Sequence, residues 1–457
     1  MTTTEQFPTS VVRDSRFDGR VLTPATPGYD SARAIWNGMI DHRPALIVQC
    51  ASVNDVVVAV RTARERNLEI GVRCGGHNIA GLAVPHGGLM IDLTGLDRVT
   101  VDPIAHRARV QGGAMLGALD RATQPFGLAT TAGNVSHTGV GGLTLGGGMG
   151  WLARQHGLAC DNVESCTVVT ADGDVVRATA DQHPELFWGL RGGGGNFGIV
   201  VEFEFRLHRV GTRTLVASLT FPLCRAAEAL RGWRDLAEQA PRQATLTAEI
   251  SGDTVALGYV WVGDPDAGRS LLPALRSIGA PNDEDVRELS YLALQTRDDS
   301  VEGHAYRRYW KGHYLPELSD GAIAALFDRD PADPTLPGVS LQAYGGAIAD
   351  LDDDATAFSH RRTRFEYVAA VKWSDPDEDR VRMGAAREAA AKLHPFAAGA
   401  YVNTLGDEGA SGVRRAYSEN QRARLTAVKD AYDPDNVFHL NHNIVPSGGL
   451  SRGAFDQ

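Results

Sequence analysis

The sequence predicts an α+β protein of two domains. A chain of 457 residues is too long for one ordinary core, because domains average roughly 150 residues. Its 51 glycines exceed the usual share of about 7 % and concentrate before residue 200. Around residues 209–213 glycine thins out, and strand-like and helix-like segments follow. We therefore expect a glycine-rich first domain and a second domain of strands backed by helices.

In the first domain, Ser52 can cap a helix that runs to about Arg66, with apolar residues at helical spacing on one face. An Asp172-Gly173 turn predicts a hairpin between two apolar runs. The remaining patterns predict strands over 68–73, 89–93, 108–111, 163–170, 175–178 and 199–208, helices over 115–125 and 185–190, and a second glycine loop over 191–198.

In the second domain, apolar alternation predicts strands over 215–221 and 255–261. Helical patterns cover 224–239 and 266–278, and Asp375 before Pro376 begins another helix that runs to about Leu393. The tail beyond residue 400 contains one long helix and the closing phrase YDPDNVFHLNHNIVP.

Composition excludes several classes of function. A net charge of −11 without a basic cluster argues against a nucleic-acid partner and against anionic membranes. No apolar run is long enough to span a bilayer, and MTTTEQFPTS at the N-terminus lacks the features of a secretory leader. Five scattered cysteines show neither metal spacing nor a disulfide pattern. We expect a cytoplasmic protein with no bound metal.

The segment RCGGHN, Arg73 to Asn78, places a histidine directly after two glycines at the end of a strand. Glycines let the backbone approach a ligand closely, and successive N–H groups in such a turn can hold a diphosphate. The alternative is a simple turn with an exposed histidine. On these residues alone, the segment predicts either that turn or a nucleotide cofactor beside His77.

A second tract, GNVSHTGVGGLTLGGGMGW, runs from Gly133 to Trp151. No clear strand precedes its GMGWLA match to the dinucleotide fingerprint, which excludes a Rossmann site. The Walker pattern is absent, so P-loop phosphoryl transfer is not expected. Because a long glycine loop is entropically costly to order, a ligand that orders the tract is favoured over an empty loop.

Four motifs together resemble the berberine-bridge-enzyme-like flavoproteins of the vanillyl-alcohol-oxidase/para-cresol-methylhydroxylase (VAO/PCMH) superfamily. They are RCGGHN, the tract that continues as WLARQHGLACDNV, the stretch ADGDVVRATADQHPELFWGLRGGGGNFGIVVEFEF, and YDPDNVFHLNHNIVP. Within the family, ARAIWNGMIDHRPALI and SHTG look most like bacterial members related to the enterocin favorskiiase. The resemblance implies a PCMH-type FAD-binding domain over 1–208, an antiparallel-sheet substrate domain over 209–400, and a segment over 401–457 that returns to the FAD domain.

The resemblance also implies FAD joined to His77 through its 8α-methyl group, with the Arg73–Asn78 loop around the diphosphate. Residues 136–142 would line the flavin, residues 198–200 would lie near the adenine, and the closing motif would return to the ring. The residues it assigns to the cofactor are Arg73, Cys74, Gly75, Gly76, His77, Asn78, Gly133, Ser136, His137, Thr138, Gly139, Gly142, Leu143, Gly148, Gly198, Val200, Asn403, Asn441 and Asn443.

The chain departs from many relatives at Val135, where they carry a cysteine with a second flavin link. Valine cannot form a thioether, and Cys160 and Cys166 lie too far downstream to replace that cysteine. We expect a flavin linked through one histidine, with no cysteinyl link.

Thr138 falls where the family's oxygen gatekeeper lies, and Leu143 falls over the C4a position of the flavin. Both resemble the favorskiiase pattern, which implies oxygen chemistry through a flavin N5-oxide. The alternative is a slow oxidase or dehydrogenase in which Leu143 is only a packing residue.

Tyr401 is the candidate catalytic base implied by the resemblance, although a tyrosine with a pKa near 10 needs a nearby positive charge to act. Asn403 would share its face if the segment were a strand. His137 is expected to contact the cofactor rather than act as a base. Pocket or core positions in the second domain are Tyr309, Trp310, His313, Tyr314, Tyr344, Glu366 and Tyr367.

These features predict an FAD-linked oxidoreductase. It would oxidise an alcohol or activated C–H bond of a small secondary metabolite, with O₂ as electron acceptor. This small molecule and O₂ are its only predicted partners. Two alternatives stay open. One is a carbohydrate oxidase that forms a lactone, and the other is a flavin-containing protein that sequesters a metabolite without turnover.

Overall fold

A computed structural model describes residues 17–299 and 305–449 of the chain. The expected absence of a leader concerns residues 1–10, which lie outside the described residues. No helix in the described ranges is both long and apolar enough to cross a bilayer.

The strands of the described chain are short in the first half and longer in the second. They are β1 Arg20–Leu22, β2 Leu46–Gln49, β3 Ile70–Arg73, β4 Leu89–Asp92, β5 Val99–Asp102, β6 Arg107–Gln111, β7 Leu128–Ala129, β8 Val163–Val169, β9 Val175–Ala178, β10 Ile199–Arg206, β11 His208–Arg209, β12 Arg213–Pro222, β13 Ala244–Ser251, β14 Thr254–Val262, β15 Asp283–Ser290, β16 Arg307–Leu315, β17 Gly338–Ala343 and β18 Phe365–Trp373.

The helices lie between these strands and after them. They are α1 Tyr29–Arg33, α2 Val53–Glu65, α3 Leu116–Thr123, α4 Val140–Leu145, α5 Ala153–His156, α6 Pro184–Leu190, α7 Leu223–Gln239, α8 Pro265–Arg269, α9 Leu272–Arg276, α10 Tyr291–Gln295, α11 Asp320–Phe327, α12 Asp379–Leu393, α13 Gly409–Ala416 and α14 Glu419–Tyr432. Single 3₁₀ turns cover Gln124–Phe126, Ala159–Asn162, Gly346–Ile348, Pro376–Glu378, His394–Phe396 and Val402–Thr404.

Two sheets carry the first half of the chain. In the order β1-β2-β4-β3, the last three strands are parallel and β1 is antiparallel to β2. In the order β5-β6-β10-β8-β9, all neighbours are antiparallel. The predicted hairpin is confirmed, because β8 pairs with β9 across the Asp172-Gly173 turn. A further pair, β11 with β7, precedes the second half.

Helix α2 begins where the sequence predicted. The Ser52 Oγ accepts a hydrogen bond from the Asp55 backbone N–H at 3.2 Å, and Asp55 Oδ2 accepts one from the Ser52 N–H at 2.9 Å. This reciprocal cap satisfies backbone donors that a helix start otherwise leaves unpaired. The predicted apolar face is buried against β2, β3 and β4.

The second half forms one seven-stranded antiparallel sheet in the order β15-β12-β14-β13-β17-β18-β16. One face packs on α7, α9, α11 and α12 in a single apolar cluster. The other face turns toward the first half, where β18 places Glu366 beside a cavity. The α+β class and the antiparallel sheet backed by helices are confirmed, whereas the exact domain limits stay a prediction.

One predicted helix is interrupted, and the tail contains one helix more than predicted. The segment 266–278 forms α8 and α9, because Pro273 cannot continue a helix and instead lies in the first turn of the second one. The tail contains α13 as well as α14, and the Ser418 side chain caps α14 by accepting from the Gln421 N–H at 3.3 Å. The strands β13, β15, β16, β17 and β18 were not predicted, because tertiary pairing decides such strands more than their own sequence pattern does.

Candidate functional site

A cavity of about 540 Å³ lies between the two halves of the molecule. Its walls come from the loop after β3, the glycine tract before and within α4, the glycine loop at residues 193–195, the strands β16 to β18, and the chain beyond residue 400. Most of the exposed lining is apolar, which is usual for a small-molecule site.

The loop after β3 is fixed by Arg73. Its guanidinium forms an ion pair with buried Asp92 at 2.5 Å and donates to the Ala32 carbonyl at 2.6 Å. Arg73 therefore points away from the cavity and holds the base of the loop. Cys74 through Asn78 follow it along the cavity wall.

His77 lies on this wall between two rings. Trp36 stacks on it, with ring centroids 4.7 Å apart and planes 14° apart. At the edge of the ring, Nε2 of His77 is 2.7 Å from Nδ1 of His137, and Thr138 Oγ1 is 3.4 Å from Nδ1 of His77. Burial, followed by the charges of His137 and Arg308, lowers the pKa of His77 to about 3. The imidazole is therefore neutral at physiological pH.

The glycine tract meets this loop backbone to backbone. A Cβ on Gly75 would overlap the Gly139 backbone nitrogen, and a Cβ on Gly139 would overlap both Gly75 and the Cys74 sulfur. Only glycine fits at either position without moving the loops apart.

Tyr401 lies deep in the cavity beside Leu143. Its hydroxyl oxygen accepts from the Gly148 N–H and from Asn403 Nδ2, both at 2.8 Å. Asn403 also donates to the Leu143 carbonyl at 3.2 Å. The segment is a 3₁₀ turn rather than a strand, so this amide, and not strand alternation, brings Asn403 to Tyr401.

The environment of Tyr401 does not favour its ionisation. Burial, with the nearby Glu366 carboxylate, raises the pKa of Tyr401 well above its ordinary value. These surroundings favour a role for Tyr401 in positioning rather than in taking a proton.

Glu366 on β18 and Gln342 on β17 are partners on adjacent strands, and both line the cavity. The Tyr344 hydroxyl donates to Glu366 Oε2 at 2.8 Å. Burial raises the pKa of Glu366 to about 7, and the hydrogen bond from Tyr344 opposes that rise. The buried Nε2 of Gln342 has no hydrogen-bond partner among the described residues. The pair therefore offers a proton acceptor and a hydrogen-bond donor side by side.

The glycine loop at residues 193–195 forms another part of the cavity wall. Residues near the C-terminus bind Asn196, directly after this loop. Lys429 Nζ donates to the Asn196 carbonyl at 2.8 Å and to Asp433 at 2.6 Å, and the side chains of Lys429 and Asp433 are fully buried. Asn196 Oδ1 accepts from the Ile444 N–H at 2.9 Å. The phrase YDPDNVFHLNHNIVP thus closes the cavity through hydrogen bonds and one buried ion pair.

The predicted site residues divide into two groups. Those that line the cavity are Cys74, Gly75, Gly76, His77, Asn78, Gly133, Thr138, Gly139, Gly142, Leu143, Gly198, Val200, Tyr401, Asn403 and Asn441. Those that lie beside it are Arg73, Ser136, His137, Gly148 and Asn443. Ser136 is engaged with the Asp299 carboxylate through its N–H at 2.8 Å and its hydroxyl at 2.7 Å.

The second-domain candidates also divide. Trp310 and Glu366 line the cavity. His313 stacks on Tyr367 on the helix-covered face and is hydrogen-bonded to the Ala390 carbonyl. Tyr309, Tyr314 and Tyr344 are also buried residues outside the lining.

Sequence reasoning missed Trp36, Gln342 and His442, which line the cavity. For Gln342, a signal existed: Val339, Leu341 and Ala343 are the apolar positions of β17, so a polar residue between them faces the other side of the sheet. Trp36 lies in no strand or helix, so no periodicity could reveal that it stacks on His77.

Comparison with known proteins adds an independent result. An FAD-binding-domain family matches residues 44–179, and a berberine and berberine-like family matches residues 400–445. (R)-6-Hydroxynicotine oxidase from Paenarthrobacter nicotinovorans is 32 % identical over 94 % of this chain and 97 % of its own length.

Two solved structures extend the comparison. The crystal structure of 6-hydroxy-D-nicotine oxidase from Arthrobacter nicotinovorans superposes with a TM-score of 0.85 at 30 % identity, covering 94 % of this chain and 98 % of that one. Glucooligosaccharide oxidase from Acremonium strictum, described with a 6-S-cysteinyl, 8α-N1-histidyl FAD, shares the fold at 24 % identity, with a TM-score of 0.85 and the same coverage of both chains.

The fold is therefore that of the VAO/PCMH flavoproteins. Within that class, the chain belongs to the berberine-bridge-enzyme-like FAD-linked oxidoreductases.

The residues around the cavity fit FAD. Buried polar atoms at its wall, Oδ1 of Asn134, Oδ1 of Asn441 and Nε2 of His442, have no hydrogen-bond partner within the described chain. Unpaired buried polar atoms are costly unless a ligand or water satisfies them. A Cβ on Gly142 or Gly195 would point into the cavity without touching protein, so side chains there would occupy ligand space. The FAD match over 44–179 includes the His77 loop.

The buried pair Lys429–Asp433 yields the first prediction. Lys429→Met should lower the free energy of unfolding by about 3–5 kcal/mol, because it leaves the Asp433 carboxylate buried and uncompensated. Urea unfolding followed by fluorescence in the presence of excess FAD measures the change. Lys392→Met is the matched control, since its pair with Asp328 is exposed and should contribute less than about 1 kcal/mol. Equal losses in both variants would contradict this role.

Proposed function

We propose that the protein oxidises an alcohol or an activated C–H bond of a small, mainly apolar metabolite, with FAD attached to His77 and dioxygen as electron acceptor. The observation that carries this proposal is one continuous cavity that joins His77, the glycine loops and the Gln342–Glu366 pair. The similarity to (R)-6-hydroxynicotine oxidase, which its name describes as an oxidase of a small heterocyclic compound, supports the same class of reaction.

Bound FAD supplies the two-electron acceptor for this chemistry. The protein's contribution begins at Glu366, whose carboxylate can take the proton of a substrate hydroxyl. Its pKa of about 7 suits this task, because a general base works best when its pKa lies near the operating pH. Gln342 Nε2 can donate to the substrate oxygen beside it. The Tyr401–Asn403–Leu143 hydrogen bonds fix a neighbouring part of the cavity wall.

His77 is proposed as the only attachment point of FAD. The neutral imidazole keeps a lone pair available for bond formation. Val135 lines the same cavity and offers no sulfur for a second bond. Cys160 and Cys166 are buried core residues that do not line the cavity. Cys74 lines it, but its thiol donates to the Ala114 carbonyl at 3.7 Å and burial raises its pKa to about 11, so it stays a thiol. These features support a single link.

Thr138 and Leu143 are proposed to control how oxygen reaches the flavin. Both line the cavity, and the Leu143 side chain lies close to Gly133 and Gly148. A branched side chain at this place would limit the room beside a flavin bound in the cavity. We further propose that oxygen would react at flavin N5, which would make the enzyme an oxygenase.

After trichloroacetic-acid precipitation, the yellow colour of the purified wild-type protein should stay in the pellet. With His77→Ala, the flavin should pass into the supernatant. Anaerobic addition of substrate should bleach the flavin, and air should restore it with formation of hydrogen peroxide. A panel of small alcohols, amines and oligosaccharides identifies the substrate class. Bleaching by oligosaccharides alone would instead establish a carbohydrate oxidase, and binding without bleaching would establish a sequestering protein.

The base assignment predicts a pH profile. Glu366 must be deprotonated to accept a proton, so kcat/KM should rise with pH through a value near 7 and then level off. Glu366→Gln should remove that rise and lower kcat/KM by about 10²–10⁴-fold. Tyr344→Phe should move the rise to higher pH. The hydrogen bond from Tyr344 holds the pKa of Glu366 down, so its removal raises that pKa.

Asp120→Asn is the matched control for this profile. Burial also raises the pKa of Asp120 to about 7, but Asp120 does not line the cavity. Its replacement should leave the rise in kcat/KM unchanged. A profile that follows Asp120 rather than Glu366 would refute the assignment.

The oxygen proposal predicts a spectral difference. If the resting flavin carries an N5-oxide, dithionite reduction followed by air should produce a spectrum different from that of the protein as purified. Leu143→Gly should open the C4a side and speed reoxidation, measured as oxygen uptake. Identical spectra before and after the cycle would exclude the N5-oxide form.

A further inference from the structure

The imidazole of His77 is held on one face and at one nitrogen. Trp36 stacks on the face, and the His137 ring lies at the Nε2 edge, with centroids 4.7 Å apart and planes 41° apart. The 2.7 Å contact joins Nε2 of His77 to Nδ1 of His137. Such a clamp fixes the plane in which His77 can form a bond.

The contact also decides which nitrogen of His77 is available. A neutral imidazole has one N–H donor and one acceptor, and the hydrogen bond at one nitrogen sets the state of the other. When Nε2 of His77 donates to Nδ1 of His137, the lone pair remains on Nδ1 of His77. That nitrogen lies 3.4 Å from the Thr138 hydroxyl, and both residues line the cavity.

We propose that His137 prepares His77 for covalent flavin attachment by holding the proton on Nε2 and then accepting it as Nδ1 forms the bond. This inference rests on the proposed attachment of FAD to His77. It gives His137 a positioning and proton-accepting role in the maturation of the enzyme rather than in substrate oxidation.

The electrostatics of the site explain why a proton acceptor is needed. An imidazole that forms a third bond at Nδ1 while Nε2 keeps its proton becomes a cation. Burial opposes a cation at His77 most strongly, followed by the charges of His137 and Arg308. The Arg308 guanidinium lies 4.1 Å from the centre of the Trp36 ring, which stacks on His77. Transfer of the Nε2 proton to His137 keeps His77 neutral while the bond forms.

The reaction balances with dioxygen as the oxidant. The new bond joins Nδ1 of His77 to the 8α carbon of FAD, and one C–H bond of that methyl group breaks. The methyl proton passes to water, the imidazole proton passes to His137, and the electron pair of the C–H bond remains on the ring system. Dioxygen then takes two electrons and two protons and leaves as hydrogen peroxide.

The test measures attachment rather than turnover. Wild type, His137→Ala and His137→Asn are produced without attached flavin in riboflavin-limited cells, and each purified apoprotein is then saturated with FAD and precipitated with acid at intervals. The pellet then contains attached flavin, and the supernatant contains flavin that was bound without a link. Mass spectrometry of the peptide carrying His77 confirms the position. We expect both variants to bind FAD but to attach it about 10²–10⁴-fold more slowly than wild type.

His137→Asn distinguishes two roles of residue 137: accepting a proton, and accepting a hydrogen bond without taking the proton. Its carboxamide oxygen can accept from Nε2 of His77 but cannot take up the proton. Attachment by His137→Asn at the wild-type rate would overturn the proton-accepting role, and wild-type attachment by His137→Ala would overturn the whole inference. His156→Ala is the matched control. His156 is half-buried, like His77, and stacks on another histidine, His208, with centroids 3.9 Å apart, but it does not line the cavity. It should attach FAD at the wild-type rate.

The wild-type protein distinguishes this inference from the proposed function. Substrate turnover with FAD that acid releases completely would overturn the inference and leave the proposed oxidation intact. Absence of bound FAD would overturn both.

Discussion

The close backbone approach of Gly75 and Gly139 is the constraint on which the site depends. A side chain on either residue would occupy the space of the other loop, so the two loops meet only where both are glycine. His77 follows Gly75 by two residues, and His137 and Thr138 immediately precede Gly139. The distance between the two histidines therefore follows from a contact that involves no side chain of either.

The cavity wall formed by the glycine loop at 193–195 depends on residues that are far apart in sequence. The glycine loop at 193–195 has few side chains with which to order itself, and ordering such backbone is entropically costly. The Lys429–Asp433 ion pair and the two-sided hydrogen bonding of Asn196 offset part of that cost. The last part of the chain is thus a structural component of the cavity and not an appendage to the second sheet.

Desolvation shifts the pKa values of two cavity residues, Glu366 and His77, in opposite directions, and in both cases it favours the neutral form. It raises the pKa of Glu366 and lowers that of His77, because burial disfavours the charged form of an acid and of a base alike. The neutral imidazole keeps a lone pair for bond formation, and the carboxyl group titrates where a base for substrate oxidation is useful. A single apolar cavity thus adjusts both groups, and Tyr344 moderates the effect at Glu366 through one hydrogen bond.

The sequence by itself determined the local and the covalent features: the capped start of α2, the β8–β9 hairpin, the glycines that admit close backbone contact, and a valine at 135 that has no sulfur. These follow from side-chain chemistry and from neighbours within a few residues. Only the tertiary structure decided which motif residues reach the cavity. Arg73 turns to Asp92 and Ser136 turns to Asp299, although both belong to motifs that the family resemblance assigns to the cofactor. Gln342 faces Glu366 because β17 pairs with β18 in one register, and Trp36 covers His77 across the fold. Strand register and long-range packing place these groups, and neither is encoded in the pattern of any single segment.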